Sequence, residues 1–84
     1  MMRGTNSKVV QAFFNHIPLS SHNSNLKTTK TTLINYSTII AYYKDNTYYI
    51  NISKYSTTTS KIQTLIKRYL QDHNIENYTE YMAN

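Results

Sequence analysis

Tyr55-Ser56-Thr57-Thr58-Thr59-Ser60-Lys61-Ile62-Gln63-Thr64-Leu65-Ile66-Lys67-Arg68-Tyr69-Leu70-Gln71-Asp72-His73 is the stretch around which the rest of the chain is organised. Ile62, Leu65, Ile66, Tyr69 and Leu70 recur at steps of three and four, the spacing of one helix face. Lys61, Thr64, Lys67, Arg68 and Gln71 fall on the other side. The segment reads as a long helix in the C-terminal half, with one apolar face and one basic face. The hydroxyl run at 56–60 offers several caps for its start, because a Ser or Thr oxygen accepts from the amides that a first turn leaves unpaired. A run of this kind leaves the choice among them open.

Upstream of that helix lie runs suited to a sheet. Residues 39–44 and 47–53 are rich in Ile, Tyr and Thr, side chains that fit a pleated, half-buried surface. Asp45-Asn46 between them suits a primed hairpin turn, and residues 31–36 supply a third strand. Alternation puts Tyr48, Ile50 and Ile52 inward, and sets Tyr42 and Tyr43 on opposite faces, one buried along its ring and one exposed. Further back, Val9, Val10, Phe13, Phe14 and Ile17 make the apolar stripe of a helix from Lys8 to about His16, with Asn6 or Ser7 as cap and Pro18 as stop. The expected fold class is therefore α+β: an N-terminal helix, a two- to three-stranded antiparallel sheet and the long helix, in two layers around one small core. Residues 1–84 form a single small domain, with 1–5 frayed and 19–30 a polar loop in which Leu26 is the apolar exception. The tail after His73 reads either as an amphipathic turn through Ile75, Tyr78 and Met82 or as an edge strand from Ile75 to Tyr81. Asn74 suits a left-handed helix end.

Composition bounds the function. There is no cysteine, hence no disulfide and no thiolate zinc site. So short a chain without staples makes a homodimer a reasonable expectation. No stretch approaches the roughly 20 apolar residues that span a bilayer, and no signal-peptide core is present, so a cytoplasmic protein without membrane contact is expected. The formal charge is +5, unevenly spread: up to Gln71 there are nine cations against one carboxylate, and then Asp72, Glu76 and Glu80 follow. Such a surplus favours polyanions. Nine tyrosines invite base stacking, although an AT-rich genome produces the same bias.

Catalytic signals are weak. His16, His22 and His73 share no motif with the acids, and His73 reads as a core-edge residue. Asp72, Glu76 and Glu80 would align for a metal only if the helix ran on past His73. The single glycine, Gly4, excludes a Gly-rich nucleotide loop. No enzyme activity, cofactor or metal is expected. Polyanion binding has more behind it: Lys54, Lys61, Lys67 and Arg68 lie on or near the helix, Ser56, Thr59 and Ser60 can donate to phosphate oxygens, and Tyr43, Tyr49 or Tyr55 can stack on unpaired bases.

Val10 with Phe13 or Phe14, then Leu33, Tyr36, Ile40 and Ala41, then Tyr55-Ser56-Thr57-Thr58-Thr59-Ser60-Lys61 with Gln63 form a recurring pattern. Over residues 9–70 it resembles a family of small uncharacterised proteins of phages, plasmids and other mobile elements of low-GC Gram-positive bacteria. The Tyr-Ser-x-Thr-Thr-Ser block is its most specific part. Ile62 stands where that family often carries a histidine. The resemblance implies an origin more than an activity. The expected function is a non-enzymatic protein that binds DNA or RNA through the basic helix face. The alternative is an anti-CRISPR-like inhibitor that binds a host nucleic-acid-processing protein, a defence nuclease or effector complex.

Overall fold

A computed structural model describes residues 3–22 and 25–83 of the chain. Strand β1 (Arg3–Gly4) leads into helix α1 (Asn6–Phe14). Strands β2 (Leu19–Ser21), β3 (Leu26–Thr28), β4 (Thr32–Asn35), β5 (Thr38–Lys44) and β6 (Thr47–Asn51) follow, then helix α2 (Thr57–Asp72) and strand β7 (Tyr78–Tyr81). All seven strands form one sheet in sequence order. The pairs from β2 to β6 are antiparallel, while β1–β2 and β6–β7 are parallel. Each parallel pair is joined by a helix, since parallel neighbours require a crossover.

The α+β class holds, but a two- to three-stranded sheet does not: the sheet has seven strands. Nor does α2 dominate the C-terminal half, since it takes 16 residues and the chain then returns to the sheet. The stretch 19–30 is not a loop, because it holds β2 and β3. Its polarity conceals them: the inward positions include Ser21 and Thr28, both buried. The Ser21 hydroxyl accepts from the Leu26 amide, and the Thr28 hydroxyl donates toward the carbonyls of Thr29 and Thr32. Leu26 between them is a core residue, 1% exposed. Residues 3–5 are likewise not frayed. Arg3 and Gly4 pair with Ser20 and Ser21, and Thr5 caps α1 by accepting from the Lys8 amide. Residues 1 and 2 lie outside the described part.

Both helices lie on one face of the sheet, and the core forms between them and it. Val9, Val10, Phe13 and Phe14 from α1 meet Ile62, Ile66 and Leu70 from α2 over Leu26, Leu33, Ala41, Tyr48 and Ile50. Phe14 stacks on Tyr69 with centroids 4.4 Å apart, and Tyr48 closes the cluster from below. The β4–β5 register slips between Leu33, which faces Ala41, and Ile34, which faces Ile39. Ile40 is the extra residue of this bulge, so Ile40 and Ala41 are both fully buried rather than alternating. Ile52 is half-buried against the same core. Ile17, expected in the α1 stripe, is 51% exposed because the helix has already ended.

Two helix ends and two hairpins use left-handed residues without glycine, Tyr36 with φ of 56° serving the turn from β4 to β5. His16 and Asn74 have φ of 60° and 52°. After α1, His16 N–H donates to Phe13 O and Ile17 N–H to Ala12 O; after α2, Asn74 N–H donates to Gln71 O and Ile75 N–H to Leu70 O. Both are the paired closing bonds that end a helix with one left-handed residue. Asp45 and Asn46 both have positive φ and join β5 to β6 in a type I′ turn, whose twist suits a hairpin.

Candidate nucleic-acid interface

The hydroxyl run turns out to be a latch. Ser56 is the cap of α2, its hydroxyl accepting from the Thr59 amide. Thr59 faces inward, 4% exposed, and its hydroxyl donates to Asn35 Oδ1 at 2.7 Å. Asn35 in turn donates to the Asn25 carbonyl. One turn on, Gln63 Nε2 donates to the carbonyls of Asn51 and Ser53 at 2.8 and 2.9 Å. Asn51 Nδ2 donates to the Tyr55 hydroxyl and to Ile39 O. These bonds tie the start of α2 to the ends of β4, β5 and β6. Where the chain leaves the sheet, carbonyls lose their ladder partners, and side-chain amides and hydroxyls replace them. Among the described residues no buried side-chain polar atom lacks a partner.

Thr59 is therefore not available to a phosphate, which corrects its place among the expected contacts. The oxygens of Ser56 and Tyr55 are likewise engaged inside the protein. Ser60, Lys61, Lys67 and Arg68 are exposed on the outer side of α2, and Lys54 is exposed just before it. None of these cations makes an ion pair with a described acid. Lys61 and Arg68 are seven residues apart, about 10 Å along the axis and within about 20° of the same face. The chain carries no carboxylate between Asp45 and Asp72, and α2 has no acid in its first turn. Its N-terminal half thus keeps both the side-chain charge and the helix dipole positive.

Tyr49 belongs elsewhere. Tyr48 and Ile50 point to the helices, so Tyr49 points to the opposite, helix-free face, where it stacks on Tyr42 with centroids 4.8 Å apart and planes 12° apart. The sheet separates it from Lys67 and Arg68, and the nine expected residues do not converge on one site. Tyr43 lies on the helix side, its hydroxyl donating to Asn46 Oδ1. Tyr42 and Tyr43 are both half-buried, not one buried and one exposed. Sequence reasoning missed Tyr42 and Tyr81 on the helix-free face. The β5–β6 register was the signal that pairs Tyr42 with Tyr49, whereas Tyr81 depended on the edge strand, one of two readings of the tail, which β7 now realises.

The remaining titratable groups do not gather. Asp72 ends α2, Glu76 follows it and Glu80 sits in β7, so the three do not align along a continued helix. No group of three metal-ligating side chains forms among the described residues. His73 is the exposed cap of α2 rather than a core-edge residue, although its ring lies on Tyr69 at 4.0 Å. His16 meets the Lys30 carbonyl through Nδ1 and the Tyr48 hydroxyl through Nε2, a bracing role at the end of α1. Burial raises the Tyr48 phenol above its ordinary range, with Tyr43 and Tyr69 adding to it. Burial, then Tyr42 and Tyr55, does the same to Tyr81.

No helix among the described residues is long and apolar enough to cross a membrane. No family model matches the chain, and neither a curated protein nor a solved structure does.

Proposed function

We propose that this chain is a non-enzymatic protein, of phage or mobile-element origin, that binds nucleic acid on the outer side of α2. Lys61, Lys67 and Arg68 carry the contact, with Lys54 and Ser60 at its start. The observation behind this reading is a helix face with three exposed cations, no ion pair to a described residue and no acid on α2 before Asp72. Lysine and arginine placed in this way neutralise phosphates and release counterions, a gain that needs no base recognition. Of the hydroxyl run, Ser56 and Thr59 are not part of the proposal, since the latch consumes them.

The test is binding of a mixed-sequence DNA duplex and an RNA of similar length, followed by fluorescence anisotropy as salt is raised. Affinity should fall steeply with salt. Lys67→Glu with Arg68→Glu should weaken binding at least tenfold and flatten the log–log salt slope by about 1.5, two phosphate contacts' worth. Circular dichroism should show this double variant folded. Absence of binding at low salt, together with co-purification of a host nuclease or effector complex, would replace this reading with the inhibitor.

A further inference from the structure

We infer that the helix-free face of the sheet is a stacking platform for the bases of single-stranded nucleic acid, centred on Tyr42 and Tyr49. This rests on the nucleic-acid reading for the class of ligand, but it uses a different surface. Thr32, Tyr42, Tyr49 and Thr79 are neighbours in one row across β4, β5, β6 and β7. The two rings face each other across the strand pair, so each turns its other side toward a threonine. A short side chain next to a ring leaves space for a planar group beside it. Tyr81 leans in from the β7 edge, 5.8 Å from Tyr42, and lengthens the aromatic patch. The next row holds Lys27, Ile34 and Ile39, and Ile39 is 48% exposed.

Charge selects the occupant. By register Lys27 and Lys44 share this face with the tyrosines, both exposed, while Glu80, paired with Ile50, belongs to the helix side. A face whose described strand residues include cations and no carboxylate opposes its own copy, because a two-fold contact would set lysine against lysine. Aromatic rings with lysines at the margin match an unpaired strand, whose bases stack while its phosphates meet the ammonium groups. A duplex keeps its bases inside and gains nothing from half-buried rings on the sheet face. This surface therefore adds a preference for single strands that α2 alone does not supply.

The experiment compares a labelled oligothymidylate of about 15 nucleotides with a duplex of equal length. It uses the full chain and the variants Tyr49→Thr, Tyr42→Thr and Tyr49→Phe. Threonine suits an outward strand position, and circular dichroism checks that each variant folds. Either threonine variant should weaken oligothymidylate binding about tenfold, while Tyr49→Phe stays within twofold and duplex affinity is unchanged. Unchanged oligothymidylate binding in both threonine variants would overturn the platform. So would a concentration-dependent dimer that Tyr49→Thr dissolves. Loss of single-strand binding in Lys67→Glu with Arg68→Glu, but not in the tyrosine variants, removes the platform and leaves the α2 reading. The reverse pattern keeps the platform and removes the α2 contact.

Discussion

Thr59→Val separates the latch from a ligand contact. Valine matches threonine in shape and in helix propensity, so the change leaves no cavity and little local preference to lose. It removes the hydroxyl that donates to Asn35 Oδ1 at 2.7 Å, in a residue only 2% exposed. A buried acceptor stripped of its donor costs about 1–3 kcal/mol. A domain of this size holds roughly 5–15 kcal/mol in total, so the loss is a sizeable fraction. At about 4–8 °C per kcal/mol the melting temperature should drop by at least about 4 °C. Urea unfolding followed by circular dichroism should show a lower midpoint at unchanged slope. A cycle with Asn35→Ala should return a coupling of about 1 kcal/mol, since each change removes the same bond. Nucleic-acid affinity, measured well below the transition, should stay within twofold. The latch is refuted if stability moves by less than about 0.5 kcal/mol while affinity falls tenfold, for then the hydroxyl serves the ligand.

Two other outcomes follow from the helix end and the buried phenol. Asn74→Ala should destabilise by about 1 kcal/mol, because alanine resists the left-handed φ of 52° that closes α2; Asn74→Gly should not, and thermal melts of both variants decide it. For Tyr48 the folded pKa lies above the ordinary 10.0, so below that pH the group adds no pH dependence. As pH climbs past it, the unfolded chain loses the proton first and stability falls until Tyr48 itself ionises. Unfolding free energy measured between pH 9 and about 12 should decline, and the decline should be shallower in Tyr48→Phe.

Periodicity made the apolar side of α2 readable, because Ile62, Ile66 and Leu70 meet the core through a simple repeat. Alternation did the same for Tyr48 and Ile50, and Asp45-Asn46 declared its turn. Where burial is achieved by polar side chains, the pattern gives no sign. Ser21 and Thr28 fill inward positions in β2 and β3, yet they read as loop residues because they are polar and meet their partners, the Leu26 amide and the Thr29 and Thr32 carbonyls, only once the strands have turned. The bulge at Ile40 breaks the period that would have located it. The candidate interface suffered in the same way: Thr59 and Lys61 are two residues apart, and only the position of Asn35 decides that one is consumed and the other free.

Strictly sequential strand order means that no strand is inserted between two others that are chain neighbours, so the sheet can come apart by peeling. Releasing β7 breaks the bonds from Tyr48 N–H to Asn77 O, from Ile52 N–H to Tyr81 O and from Ala83 N–H to Ser53 Oγ, yet leaves β4, β5 and β6 paired. Amide hydrogen exchange should accordingly be fastest at the lateral margins and slowest in the middle hairpins. Tyr81 rides on such a margin, whereas Tyr42 and Tyr49 stand on the β5–β6 hairpin inside it, which should exchange more slowly than β7.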